Sequence, residues 1–429
     1  MKLLSACCAV LFLLPFQAQA WSNHSMGSSL ALAPLPGMSD ESIEVESLER
    51  FLAAEEQELQ VLLDEQEAFA RAHFDGYPER PDSLRWQPGA PDRKSAFLQA
   101  LRINPEIRLA YFIQALPGVL PGQRQRLEAS AVTVSRQLSM WNDWRFYGVS
   151  EGEKLSPLAI TSTAADEPDY GHDINLFSDN PGKVGALYNF GAQPFGDARF
   201  EYSSQAPFHI GYYHESPLVF AAGPFLTRTY PQWRAYQYFG LARFAFEQGH
   251  PYWGYRFLGW GLHYIQDLTQ PYHSTVLPGE TTAGLIWTAA KALAGYPEDK
   301  QAAIERVGTR HTEVEKYQLR WLRGELATGD AGRPLLMAYA NQARDGQYPA
   351  FDYRYLRDTV AYESRQRADQ FDALIGQWLA VQPAPGDFSQ GNQPAAPKPD
   401  AQLQQLIIEL IGHFGAHTRN AVRAVSPQP

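Results

Sequence analysis

Cysteine is almost missing from this chain, and the little there is stands in one place. Cys7 and Cys8 are the only two in 429 residues. Both fall inside an N-terminal stretch with the marks of a secretory signal: Lys2, an apolar core of Leu, Ala, Val and Phe, then the small-residue site Ala18-Gln19-Ala20. Cleavage after Ala20 leaves a mature chain without thiols, which excludes disulfides and thiolate-built structural metal sites. Long apolar runs are also lacking. The run within residues 1–20 is far short of the roughly 20 residues that span a bilayer, so it reads as a cleaved signal and not as an anchor. Leu4-Ser5-Ala6-Cys7 has the lipoprotein pattern, but no apolar region precedes it. The expectation is a secreted or periplasmic protein with no transmembrane span. Basic runs of the kind that track phosphate backbones are absent, and loss of Lys2 with the signal takes the formal net charge from −11 to −12. That argues against a nucleic-acid substrate without excluding one, because a bound metal can itself supply positive charge at a phosphate.

What the chain does have is apolar and aromatic mass, 45% and 13% of its residues, enough for one large core. Its most informative stretch is Leu258 to Ser274, LGWGLHYIQDLTQPYHS. His263 and Asp267 stand four apart in a run that reads as a buried helix, which puts both side chains on one face. Gln270-Pro271 then breaks the pattern, since proline cannot continue a helix interior. His273 is thrown off the end, out of line with the pair but close to it. One metal ion fits His263 and Asp267, a second fits His273, and the two oxygens of Asp267 allow it to bridge ions. His311 and Glu315 repeat the four-residue spacing in a second helix-compatible run. Five nitrogen and oxygen ligands without a thiolate suit catalytic zinc. Cleavage also makes Trp21 the first residue, and a free α-amino group with its own carbonyl can chelate a metal. His24 follows three residues later.

Trp21 at the cleavage site, His24, a later Asp and His, His263-x3-Asp267-x5-His273 and His311-x3-Glu315 together resemble the bacterial zinc-dependent phospholipases C. Their superfamily includes the fungal zinc-dependent single-strand nucleases. The likeness covers Trp21 to His24 and about residues 166–319. It implies an all-α, single helical domain holding three zinc ions. By this resemblance Asp169, His209, His263 and Asp267 hold one ion. Asp267, His24 and the Trp21 amine and carbonyl hold a second, and His273, His311 and Glu315 the third. Asp169 also orients or deprotonates the attacking water. Asp169-Tyr170 and His209 fit the family's Asp-Tyr pair and following His best. Asp166, Glu167, His172 and Asp173 compete with the first, and His214 and Glu215 with the second. His73 is a distant rival of His24.

The activity so implied is hydrolysis of the glycerol-side phosphodiester bond of a phospholipid, such as phosphatidylcholine, at a membrane surface. Glu315 favours it, because the nucleases tend to carry Asp there. Tyr170 matches a residue lining the choline pocket. The family's acidic choline contact near the N-terminus has no counterpart, since His24 occupies that place. The alternatives are a single-strand nuclease or 3'-nucleotidase, and a zinc-binding helical protein without turnover.

The remaining stretches read as scaffold. A helical insertion is expected over about 40–160: a strong helix from Ser42 to Phe74, a proline-rich turn from Pro78 to Pro91, and a helix-rich stretch from Arg93 to Trp144. Tyr230 to Gly249 reads as a helix packed on the central one. Thr281 to Ala294 is a short apolar helix, core or lid. Glu298 to Leu326 is a long helix, and Tyr353 to Leu379 is another. The zinc domain is taken as 21–380. Val381 to Asp400 is a low-complexity linker or loop, and 401–429 a C-terminal helix and tail that docks on the domain. His413 and His417 have no carboxylate partner in sequence.

Overall fold

The computed structural model describes residues 21, 23–40, 42–381 and 400–427; the expected signal, residues 1–20, and all but the ends of the expected linker lie outside the described residues. The chain is predominantly helical, 59% helix and 4% strand. The helices that build the site are, in chain order, α1 (His24–Leu32), α2 (Glu56–His73), α3 (Pro157–Ala164), α4 (Glu201–His209), α5 (Pro231–Glu247), α6 (Pro251–Leu268), α7 (Pro271–Ser274), α8 (Glu298–Ala327), α9 (Tyr362–Ala380) and α10 (Ala401–Val425).

Helix α6 is the centre. Its sequence is apolar almost all round, and every residue but Pro251 and Tyr255 is buried, as such a pattern requires. Pro251 opens it at a position where the missing N–H costs nothing. It stops at Thr269 because Gln270, ahead of Pro271, takes extended backbone (φ −90°, ψ 121°). Pro271 then starts α7, whose first turn is capped by the Gln270 side chain accepting from Tyr272 N at 2.7 Å. Two glycines let neighbours come close to α6. A Cβ on Gly259 would lie 2.5 Å from Thr161 O of α3, and one on Gly261 2.5 Å from Phe239 Cε1 of α5.

The 40–160 region corrects the sequence reading. Ser42 to Phe74 is not one helix: Ile43–Glu44 pairs antiparallel with Lys154–Leu155, and Leu48–Ala54 precedes a break at Glu55 before α2. From Arg93 to Trp144 the α-helix is confined to Arg93–Ala100. Beyond it, Phe112–Gln114, Phe146–Gly148 and Arg126–Leu127 form a three-stranded antiparallel sheet with Phe146–Gly148 in the middle. Pro105, Pro117 and Pro121 forbid helix there. Arg102 and Leu109 turn the chain with φ of 51° and 48°, and two of the three paired segments, Phe112–Gln114 and Phe146–Gly148, are rich in aromatic or β-branched residues.

The larger core gathers around α5 and α6. A second core joins Trp21, Tyr272 and Val314 to α9 and α10. Helix α10 docks against α1 and the helix Pro334–Ala340 with its apolar face covered. Arg419, fully buried, fixes it by donating to Ala31 O and Tyr339 O and pairing with Asp345. His413 and His417 do find a carboxylate: Glu363, one residue into α9, lies 3.3 Å from His413 Nδ1 and 3.0 Å from His417 Nε2. Sequence distance had hidden it. Among the described residues no helix is long and apolar enough to cross a membrane.

Candidate metal centre

Helix geometry sets the first pair. His263 and Asp267, four apart on α6, bring Nε2 and Oδ2 to 3.4 Å. Other elements then converge on Asp267. Helix α1 places His24 Nε2 3.4 Å from its Oδ1. The last residue of α4, His209, puts Nδ1 3.0 Å from Oδ2 and 3.0 Å from His263 Nε2. Asp169, on the turn Glu167–Tyr170, lies 3.8 Å through Oδ1 from His209 Nδ1 and from His263 Nε2. The bend at Pro271 brings His273 Nδ1 to 4.0 Å from Asp267 Oδ1. On α8, His311 Nε2 sits 2.7 Å from Glu315 Oε1. The result is three buried groups whose ligand atoms lie within 4.8 Å of one another: His24, His263 and Asp267; Asp169, His209 and His263; His273, His311 and Glu315.

The histidines are held from behind. His263 Nδ1 donates to Ala165 O at 2.8 Å and His273 Nδ1 to His209 O at 2.7 Å, while His24 Nδ1 faces Gln266 Oε1 at 3.0 Å. Their Nε2 atoms are thereby turned into the cluster. The Nε2 atoms of His24, His273 and His311, and both carboxylate oxygens of Asp267, are buried, and their close contacts within the cluster lack hydrogen-bond geometry. Each such group costs about 1–3 kcal/mol if left unmade. Their concentration in one cavity, with nitrogen and anionic oxygen donors facing each other, fits a set of metal ions.

Burial pushes His263 well below the ordinary imidazole range, and His273 and His311 down to about 3, so these rings are neutral and their lone pairs are available. Burial alone would raise Asp267, but its imidazole neighbours, with His209 the one that stays protonated, hold it well below the usual carboxylate range. Burial also lifts Asp169 to about 7 and Glu315 well above its ordinary value. For His209 burial is outweighed by Asp267 and Asp173, and its pKa stands at about 10. Within the centre protons thus hold places that cations could take: Glu315 and Asp169 hold on to theirs and His209 keeps its own.

Every proposed ligand side chain except that of Trp21 is in one of these groups. Trp21 lies in the second core, its indole donating to Thr269 Oγ1 at 2.9 Å, with its carbonyl accepting from Asn23 N at 2.5 Å. Tyr170 differs from its expected substrate-lining role. It is 3% exposed, its ring enclosed by Phe112, Trp141 and Phe146, and its hydroxyl bonded to Gln114 Nε2 at 2.7 Å and Asp166 Oδ2 at 3.2 Å. The unforeseen three-stranded sheet closes over it.

The competing residues have other partners. Asp166 accepts from Ser25 N and Oγ, Gln114 Nε2 and Trp144 Nε1, tying α1 to the turn that carries Asp169. Glu167 pairs with Arg256, His172 with the Tyr238 hydroxyl, and Asp173 with Arg234 and Tyr264. His214 reaches Arg357 O and Glu215 accepts from Val276 N. His73 is exposed against Phe69. Sequence reasoning missed Gln266 and Gln270, the latter donating to Glu315 Oε1 at 3.4 Å. The signal was there, since fully buried glutamines flank Asp267 in an otherwise apolar stretch. Comparisons with protein-family models, with curated proteins and with solved structures each return no match.

Proposed function

We propose that the protein is a secreted zinc-dependent phospholipase C that cleaves the glycerol-side phosphodiester bond of phospholipids. The observation that carries this reading is the gathering of three buried His/Asp/Glu groups around Asp267, with the Nε2 atoms of His24, His273 and His311 unpartnered. Nitrogen and oxygen donors without a thiolate favour zinc. Asp169, His209, His263 and Asp267 hold one ion; Asp267, His24 and the freed amine and carbonyl of Trp21 a second; His273, His311 and Glu315 the third. Bound zinc would neutralise charge on the phosphoryl oxygens, bring the pKa of a coordinated water to about 7 and assist the leaving alkoxide. Asp169, whose carboxylate lies 3.8 Å from both His209 Nδ1 and His263 Nε2, would orient the attacking water and take its proton. The histidines anchored through Nδ1 keep their rings oriented through the reaction.

The test uses purified, signal-cleaved protein. Release of the water-soluble phosphorylated head group from phosphatidylcholine is compared with digestion of single-stranded RNA, each with and without a zinc chelator. Chelator-sensitive head-group release with intact RNA is the expected result. RNA digestion with intact lipid would move the protein to the nuclease reading. Zinc-loaded protein inert on both would leave a non-enzymatic zinc protein.

A further inference from the structure

The geometry points to Gln266 and Thr418 as positioning residues for His24, and so to α10 as a working part of the metal centre; this rests on the metal-binding reading above. Gln266, Ser28, Thr418 and His24 are all fully buried. Gln266 Oε1 faces His24 Nδ1 at 3.0 Å. Its amide nitrogen spends both hydrogens elsewhere, on Ser28 Oγ of α1 at 2.7 Å and Thr418 Oγ1 of α10 at 3.1 Å. In that orientation the only hydrogen bond open to His24 Nδ1 on Gln266 is as donor. The proton then sits on Nδ1, and the lone pair of Nε2 faces Asp267 at 3.4 Å. A metal-ligating histidine needs this tautomer, and the outer partner that fixes it typically governs affinity.

The chain of contacts has a clear weak point. Without the Thr418 hydroxyl, one buried N–H of Gln266 loses its acceptor. The amide can recover partners by turning over, which presents N–H to His24 Nδ1 and drives the ring proton to Nε2. That proton would occupy the ligand position. Thr418 thus acts on an ion through two intervening side chains, from a helix more than 150 residues further along the chain (|i−j| of 152 to Gln266).

The experiment titrates zinc into metal-stripped, signal-cleaved protein against a competing chromophoric chelator, and records the visible spectrum of the cobalt-substituted form. Wild type is compared with Thr418→Val, Thr418→Ser and Gln266→Leu, and thermal melts establish that each variant is folded. The expected result is an affinity loss of about 10–100-fold at one of three sites in Thr418→Val and Gln266→Leu. A changed cobalt spectrum should accompany it, with near wild-type behaviour restored by the hydroxyl of Thr418→Ser. Wild-type affinity and spectrum in folded Thr418→Val and Gln266→Leu would overturn the inference and leave the metal reading intact. Wild-type protein that binds no zinc would overturn both.

Discussion

Asp267 has more demands on it than any other residue here. Three imidazoles, from His24, His209 and His263, lie within 3.4 Å of its oxygens. Without metal, protons must do the work of cations, and this gives the stripped protein a distinctive pH dependence. His209 is raised to about 10 from 6.5, so its contribution to stability is complete below pH 6.5 and is lost as pH rises toward 10. Asp169, raised to about 7, works in the same direction between about 4 and 7. His263, depressed, and His273 and His311, lowered to about 3, work the other way: the unfolded chain takes up protons below 6.5, and stability falls as pH falls. Chelator-treated protein is therefore expected to be most stable near pH 6.5 and to lose on the order of a few kcal/mol by pH 10. Zinc-loaded protein, whose His209 needs no proton, is expected to show little loss on the alkaline side. Thermal melts of both forms from pH 5 to 10 test this, and parallel profiles would contradict it. Part of the cluster was legible in sequence because helical spacing is a local property: it placed His263 with Asp267 and His311 with Glu315 without tertiary information, whereas Asp169 and His209 came only from the family resemblance. Tyr170 was not legible, since its fate depends on a sheet built from strands of two or three residues.

Among the elements, α6 shows how tight packing sets what the chain tolerates. Helix propensity alone favours alanine over glycine by about 1 kcal/mol in a helix interior. At Gly259 that gain meets Thr161 O and Ala164 Cβ, 2.5 and 2.6 Å from an added Cβ. Overpacking of this kind costs typically about 1–3 kcal/mol. Gly259→Ala is expected to destabilise by about 1–2 kcal/mol and to weaken metal binding, because α3 leads directly to Ala165 O, the anchor of His263. Gly324→Ala, exposed on α8 with nothing within 4 Å of the new Cβ, is expected to stabilise by about 0.5–1 kcal/mol. Urea denaturation of the pair checks both signs, and a Gly259→Ala variant as stable as wild type would mean that α3 and α6 separate freely. The long helices were readable from their periodicity. The Arg93–Trp144 region was misread because its strands are too short to show alternation, while the prolines that exclude helix there also suit loops.

For the whole molecule, the wide spacing of the ligands along the chain is what matters. His24 on α1, Asp169 on its turn, His209 on α4, His263 and Asp267 on α6, and His311 and Glu315 on α8 come together only in the folded state. Ions that bind only that state stabilise it by mass action, by about 4 kcal/mol for one site at a thousandfold excess over Kd. Binding is also tied to the outer layers: Asp166 joins α1 to the sheet through Gln114, and Gln266 joins it to α10 through Thr418. Metal removal should therefore loosen the entire assembly and not one loop. Chelation is expected to lower the melting temperature by roughly 5–10 °C. It should also speed hydrogen exchange together in α1, α6, α8 and α10, with α2, which carries no ligand, affected only through global unfolding. Exchange measured with and without chelator distinguishes this from a local change. If the effect were confined to α8, the His273, His311 and Glu315 group would bind its ion independently, and the coupling through Asp267 would be absent.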